Sequence, residues 1–393
     1  MFAYGFLSVV LVLYLAQLGL SESLIGLLLS LALVGDAAIS LWMTTSADRF
    51  GRRRVLMIGA GLMLFAALLF ALTDRVGLLL IAAIIGVISP SGYEVGPFLP
   101  VEQAALSQIV PDERRTDVFA WYNLVGSFAT ATGALGGGLL SQFLQQVGML
   151  PLNSYRVVVI VYGAIGLLLA VLFSQLSSSV EAASADSALR WYHLGLNRSR
   201  GVVLKLSALF GLDAFAGGFV VQSLVAYWFH VRFGVNAAAL GGIFFGANIL
   251  AGFSALAAAR VAARIGLVNT MVLTHLPSNL LLMLVPLMPN LPLATLVLFI
   301  RFSISQMDVP PRQSYTMAVV APDERSAAAG VTGIARSLGA SISPGFAGAL
   351  LSNSMFFGAP FFVAGGLKVI YDLLLYRSFR TVKETGALHL EKN

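Results

Sequence analysis

The sequence predicts an all-α membrane protein with twelve transmembrane helices in two parallel-repeat six-helix bundles. Three observations carry that reading: long uncharged apolar runs, one-sided placement of arginine and lysine, and a segment that occurs twice. Hydrophobic residues make up 58% of the chain and charged residues only 11%, where an ordinary soluble domain has about 45–50% and about 25%. Mean hydropathy is +0.87. "VLMIGAGLMLFAALLFALT" (55–73) has no charge in 19 residues, about the length that crosses a hydrocarbon core as a helix. The short alternating segments of a transmembrane β-barrel are not seen.

Taken in order, the predicted spans are 3–20, 23–44, 54–73, 76–97, 117–142, 155–177, 203–230, 236–262, 267–288, 291–309, 327–351 and 355–376. The first lacks a basic leader and a small-residue cleavage site, so it reads as a retained helix rather than a signal peptide. The widest break, at 174–201, is rich in Ser and Ala with mixed charge. It separates an N-terminal bundle (1–177) from a C-terminal bundle with a short cytoplasmic tail (203–393), through a cytoplasmic linker (178–202).

With both termini placed in the cytoplasm, that side carries eighteen arginines and lysines and the outer side three, Arg75, Arg156 and Arg232. Arg312 counts among the eighteen, while Arg301, Arg336 and Lys368 fall inside spans. The asymmetry sets the orientation and predicts a multi-pass protein of the plasma membrane. It also accounts for the net charge of +6 without nucleic acid. The chain has no cysteine, which excludes disulfides and thiolate metal sites.

The repeat aligns "VPDERRTDVFAWYNLVGSFATATGALGGGLLS" (110–141) with "APDERSAAAGVTGIARSLGASISPGFAGALLS" (321–352) without a gap. Both copies run from a cytoplasmic loop into a span in the same direction, so the repeat is parallel. Secondary transporters built on such repeats bind substrate near mid-membrane between the halves.

Between spans two and three lies "TTSADRFGRRRVL" (44–56). Twelve spans, two parallel halves and this turn resemble the major facilitator superfamily. The turn is similar to the family's motif A, G-x-x-x-D-R-x-G-R-R/K, through Asp48, Arg49, Gly51, Arg52 and Arg53, with Thr44 in place of the leading glycine. Its counterpart at 259–270 keeps Arg260, Arg264 and Gly266 and lacks the aspartate. The resemblance implies a gating role for the turn, with Asp48 near the start of helix eleven, where a carboxylate is favoured by about 0.3–1 kcal/mol. The plainer alternative is a solvated anchor at the headgroups. "GALGGG" (133–138), with Gly133 and Gly137, resembles the antiporter motif C core, with Ala134 where the family has proline. Close helix packing by glycine is the alternative.

Ionisable residues inside spans cost about 2.5–3.5 kcal/mol on insertion scales and are functional candidates by default. Asp36 and Asp213 are the candidates for proton coupling. On a continuous helix Asp213, Gly217, Val220, Leu224 and Tyr227 share a face, and Asp308 lies near the face of Arg301. Arg301 and Arg336 either pair with an acid from another helix, Asp213 being the obvious one, or form an anion site. Lys368 and Asp372, at i and i+4, read as an intrahelical ion pair near the cytoplasmic interface. Span four ends in "SPSGYEVGPFLP" (89–100) with Glu94, as a bend or as a helix that stops early. Position suggests Tyr14 and Gln17 as cavity residues.

The four histidines are scattered and make no metal cluster. There is no P-loop, so ATP does not drive the protein. Nothing calls for a cofactor or an enzymatic activity. The expectation is a proton-coupled secondary transporter, a monomer by family resemblance, working by alternating access on a small organic solute. Efflux by antiport is preferred, and uptake of a small organic anion is the alternative. A non-transporting receptor or scaffold is the reading from a different class.

Overall fold

The computed structural model describes residues 1–91, 98–177, 180–181, 198–321 and 324–380, without the side chains of Asp48, Arg49 and residues 107, 108, 112, 113, 115–117, 120 and 326. The described chain is helical and contains no strand. Its helices are α1 (Phe2–Ser8), α2 (Leu11–Gln17), α3 (Glu22–Phe50), α4 (Arg52–Leu72), α5 (Val76–Ile85), α6 (Phe98–Ile109), α7 (Asp112–Gln146) and α8 (Pro151–Ser174). They continue as α9 (Arg200–Gly218), α10 (Gln222–Phe233), α11 (Ala237–Ile265), α12 (Leu267–Leu284), α13 (Leu291–Phe302), α14 (Val309–Ala318), α15 (Arg325–Leu351) and α16 (Ala359–Phe379). Eight stretches are long and apolar enough to cross a membrane, and three shorter apolar ones accompany them.

Each of the twelve predicted segments contains a helix among the described residues, but every third one is divided or stops short. Segment one holds α1 and α2 and segment seven α9 and α10, while in segments four and ten the described helices α5 and α13 stop short and α6 and α14 run past the predicted ends at 97 and 309. The local causes differ. Ser8 turns its hydroxyl onto the Gly5 carbonyl at 2.9 Å just before the β-branched pair Val9–Val10. Pro310 and Pro311 sit in the first turn of α14, where their missing N–H groups are harmless. Either proline would break a helix arriving from upstream.

These breaks correct three expectations. Span ten does not run to 309, so Arg301 and Asp308 are not on one helical face. Helix α9 ends at Gly218, so the face drawn from Asp213 to Tyr227 does not exist. Among the described residues of span four the helix ends at Ile85, and Phe98–Ile109, expected in a loop, forms α6. Glu94 lies outside the described residues.

The repeat is visible in the backbone. Helices α3 and α11 each have 29 residues. Each stops at a glycine of positive φ, Gly51 at +91° and Gly266 at +84°, a conformation that costs an L side chain on the order of 1–3 kcal/mol. Both glycines then open the next helix, α4 and α12.

By contacts the chain divides into two units. The first comprises residues 1–188, 221–248 and 344–357, and the second 189–220, 249–343 and 358–393. In the first unit the glycines allow close helix crossings. A Cβ on Gly26 would stand 2.8 Å from the Gly348 Cα, and one on Gly138 would stand 3.0 Å from the Gly241 Cα. Gly133 and Gly137 press against the Phe2 and Phe6 backbone, seating α1 on α7. In the second unit α16 packs against α9 and α12. Leu206, Phe210, Met271, Tyr315, Tyr371 and Leu375 form an apolar core there.

Candidate functional site

The second unit buries six ionisable side chains together: Asp213 on α9, His275 on α12, Asp308 and Arg312 at the start of α14, and Lys368 and Asp372 on α16. Asp213 is the hub. Its Oδ1 accepts from Lys368 Nζ at 2.5 Å, and its Oδ2 accepts from Arg312 Nη1 at 3.0 Å. The same Arg312 nitrogen lies 3.2 Å from Asp308 Oδ2. Arg312 also rests against the Phe210 ring, its Cζ 5.6 Å from the centroid. Gly217, one turn after Asp213, lies beside the Lys368 ammonium, where a Cβ would stand 3.8 Å from Nζ.

A second layer lies behind the first. His275 Nδ1 is 2.8 Å from Asp372 Oδ1, and Asn279 Nδ2 donates to Asp372 Oδ2 at 2.9 Å. The other ring nitrogen of His275, Nε2, stands 3.7 Å from Asp213 Oδ1. His275 therefore lies between two carboxylates, with Tyr371 edge-on to its ring. His275 and Lys368 fall near the middle of their helices, where a bare charge has no water to lean on. Each charge is tolerated because it is paired and hydrogen-bonded.

Several expectations change here. Asp213 takes its counter-charges from Arg312 and Lys368, not from Arg301 or Arg336. Arg312, assigned to a cytoplasmic loop, is 4% exposed and belongs to the site. Lys368 and Asp372 do not make an isolated pair at the interface, since both are buried and each has a partner on another helix. Arg301 is half-buried over the Phe302 ring, and Arg336 is half-buried on α15. His275, Asn279 and Arg312 were missed as site residues. A lone histidine in an apolar helix has no periodic signature, and its partner stands 97 residues away in sequence.

The first unit holds one buried acid of a different kind. Asp36 on α3 is 1% exposed, and its Oδ1 has no hydrogen-bond partner among the described residues. No cation reaches it there. Gly35 beside it lies against the Ile84 backbone of α5. Nearby, the Tyr162 hydroxyl donates to the Val87 carbonyl. Tyr14 is also fully buried, its hydroxyl donating to the Phe70 carbonyl, while Gln17 is exposed at the end of α2.

At the Gly51 turn the N-terminus of α4 is capped by a carboxylate from beyond α8. Glu181 accepts from the Arg52 N–H at 2.7 Å and the Arg53 N–H at 3.3 Å. The buried Arg52 guanidinium donates to the Val180 carbonyl at 3.2 Å, while the Arg53 side chain is exposed. In the second unit Glu324 holds the two residues that lead into α9, accepting from the N–H groups of Arg198 at 2.9 Å and Ser199 at 2.8 Å. The described residues hold no group of side chains spaced for a metal ion.

Comparison with known proteins adds the following. The family model "Major Facilitator Superfamily" matches residues 1–344. An uncharacterized membrane protein of Saccharomyces cerevisiae is 29% identical over 408 aligned positions, covering 95% of this chain and 90% of the yeast protein. A Na(+), Li(+), K(+)/H(+) antiporter of Planococcus maritimus is 32% identical over 119 residues, 30% of this chain and 28% of that one. Among solved structures, a D-xylose–proton symporter superposes with a TM-score of 0.72 at 17% identity, covering 98% of this chain and 94% of that one.

Proposed function

The chain belongs to the Major Facilitator Superfamily, and we propose that it is a proton-coupled secondary transporter of a small organic solute, working as an efflux antiporter in the plasma membrane with both termini cytoplasmic. The halves 1–177 and 203–393, joined by the linker, would rock about a central site by alternating access. The observation that carries the reading is the charge balance at mid-helix in the second unit. Three carboxylates (Asp213, Asp308, Asp372) face two permanent cations (Arg312, Lys368) and one histidine. A buried network with one negative charge to spare is a place where a proton can be taken up and released. Asp36 adds a second such place, because a carboxyl buried without a counter-charge is held more easily neutral than ionised.

The same balance favours this reading over uptake of an organic anion, since the network has no surplus positive charge to offer one. The partial likeness to an antiporter supports the direction of transport. The Gly51 turn and its Glu181 cap would stabilise one state of the gate.

The test is solute flux in proteoliposomes under an imposed proton gradient, using compounds that raise the protein's thermal stability on binding. Gradient-driven flux should occur in the wild type and be lost in Asp36→Asn at wild-type folded yield, and in Asp213→Asn when flux is compared per folded molecule. Equal flux with and without the gradient would sink the coupling. Accumulation in the direction of the proton flow would make the protein a symporter instead.

A further inference from the structure

Resting on the proton-coupled reading above, we propose that the exchangeable proton is carried by His275, between Asp372 and Asp213, and that Asp213 stays ionised throughout. Asp213 is the less suitable carrier on geometry. Both of its oxygens are occupied by cations, Lys368 at 2.5 Å and Arg312 at 3.0 Å. A proton placed on it would displace one of those bonds and leave a buried cation without its anion. Asp308 is likewise held, on the Arg312 guanidinium. The charge left over falls on Asp372, whose neighbours are neutral donors or titratable: Asn279 at 2.9 Å and His275 at 2.8 Å.

Among the described residues, the charged groups that face His275 come from three elements. From α9 comes Asp213, from the start of α14 come Asp308 and, through it, Arg312, and from α16 come Lys368 and Asp372. The tyrosine edge against the ring is Tyr371, and the one ionisable side chain of α13, Arg301, lies over Phe302. With His275 neutral the network carries three negative and two positive charges. With His275 doubly protonated it is balanced, Nδ1–H pointing at Asp372 and Nε2–H toward Asp213.

Loading is a simple transfer. Hydronium gives its proton to Nε2, an N–H bond forms, water departs, and the ring gains one positive charge. On release the Nε2 lone pair faces the Asp213 carboxylate at 3.7 Å. That repulsion, with the restored excess charge, favours an arrangement that admits water or a solute. The histidine thereby ties the supporting helices α12 and α16 to the charge pairs on α9 and α14.

The background of the test leaves the cluster intact. His193, His230 and His389 are replaced by Gln, leaving His275 as the sole imidazole, and the 15N-histidine protein is titrated in lipid nanodiscs between about pH 5 and about pH 9. The expected result is a doubly protonated ring at the acid end and a neutral Nδ1–H tautomer at the alkaline end. Asp372→Asn balances the network without a proton, so it should move that transition down by about one pH unit or more. A ring that stays neutral across the range overturns the assignment. So does an infrared band of a protonated carboxyl, lost in Asp372→Asn, that titrates in its place, or a transition that follows sodium or potassium concentration instead of pH. Gradient-driven flux of the wild type is a separate measurement. If it stands while His275 stays neutral, coupling survives and only the carrier is wrong. If it fails while His275 titrates, the coupling reading falls.

Discussion

The two units bury acid in opposite ways. Among its described residues the first holds a single fully buried carboxyl, Asp36, away from any cation. The second gathers three of its buried carboxyls into a network with two cations and a histidine, each in contact with at least one other member. A lone acid can be hidden if it stays protonated, at little cost to the fold and with no partner to position it. A network can be hidden while charged, but then each member depends on the rest. The comparison separates two consequences of mutation: damage to stability where the charges are interlocked, and damage to function alone where the acid stands by itself.

The sharpest way to break that comparison is Arg312→Met. It leaves Asp213 with one cation and Asp308 with none inside unit two. Removing one partner of a buried pair costs about 3–5 kcal/mol, so folded yield and thermal midpoint should fall steeply. If the variant unfolds at the wild-type midpoint, the network contributes no interlocked stability and the contrast fails. Next in size is the exchange of Asp213 and Lys368. Asp213→Asn and Lys368→Met should each destabilise, and the double variant should recover about 1–3 kcal/mol of their summed loss. Strict additivity would mean that the 2.5 Å contact carries no coupling.

Asp36→Asn is the counterpart in the first unit. An amide resembles a protonated carboxyl in shape and charge, so unfolding should shift by less than about 1 kcal/mol. Gradient dependence of flux should nevertheless disappear. A large loss of stability would show that Asp36 is ionised and paired after all.

The same contrast explains what was readable beforehand. Apolar length and arginine placement are local properties, and they located twelve segments and the Gly51 turn with its Gly266 counterpart. Asp36 and Asp213 stood out because a charge in an apolar run is visible by itself. The network was not readable, because its partners come together only through packing. Arg312 follows Pro310 and Pro311 in a polar run, and that run reads as a loop until the prolines are recognised as the first turn of a new helix. Lys368 and Asp372 are four residues apart, so the nearest explanation was each other. On the folded α16 they face different neighbours.

The smallest effect concerns the two capping carboxylates, which repeat the comparison at the helix ends. Glu181 accepts from the first two N–H groups of α4, and Glu324 from the two N–H groups just before α9. Glu324 is 3% exposed, whereas Glu181 is only half-buried. A charge at a helix N-terminus is worth about 0.3–1 kcal/mol when exposed and up to about 2 kcal/mol when partly buried. Glu181→Gln should therefore cost little, and the cost should fade as salt is raised, because exposed interactions are screened. Glu324→Gln should cost more and keep its cost in high salt. Thermal unfolding of both variants at low and high ionic strength measures the difference. If the two respond to salt alike, burial does not distinguish the caps, and the linker-side carboxylate holds its helix as firmly as the buried one does.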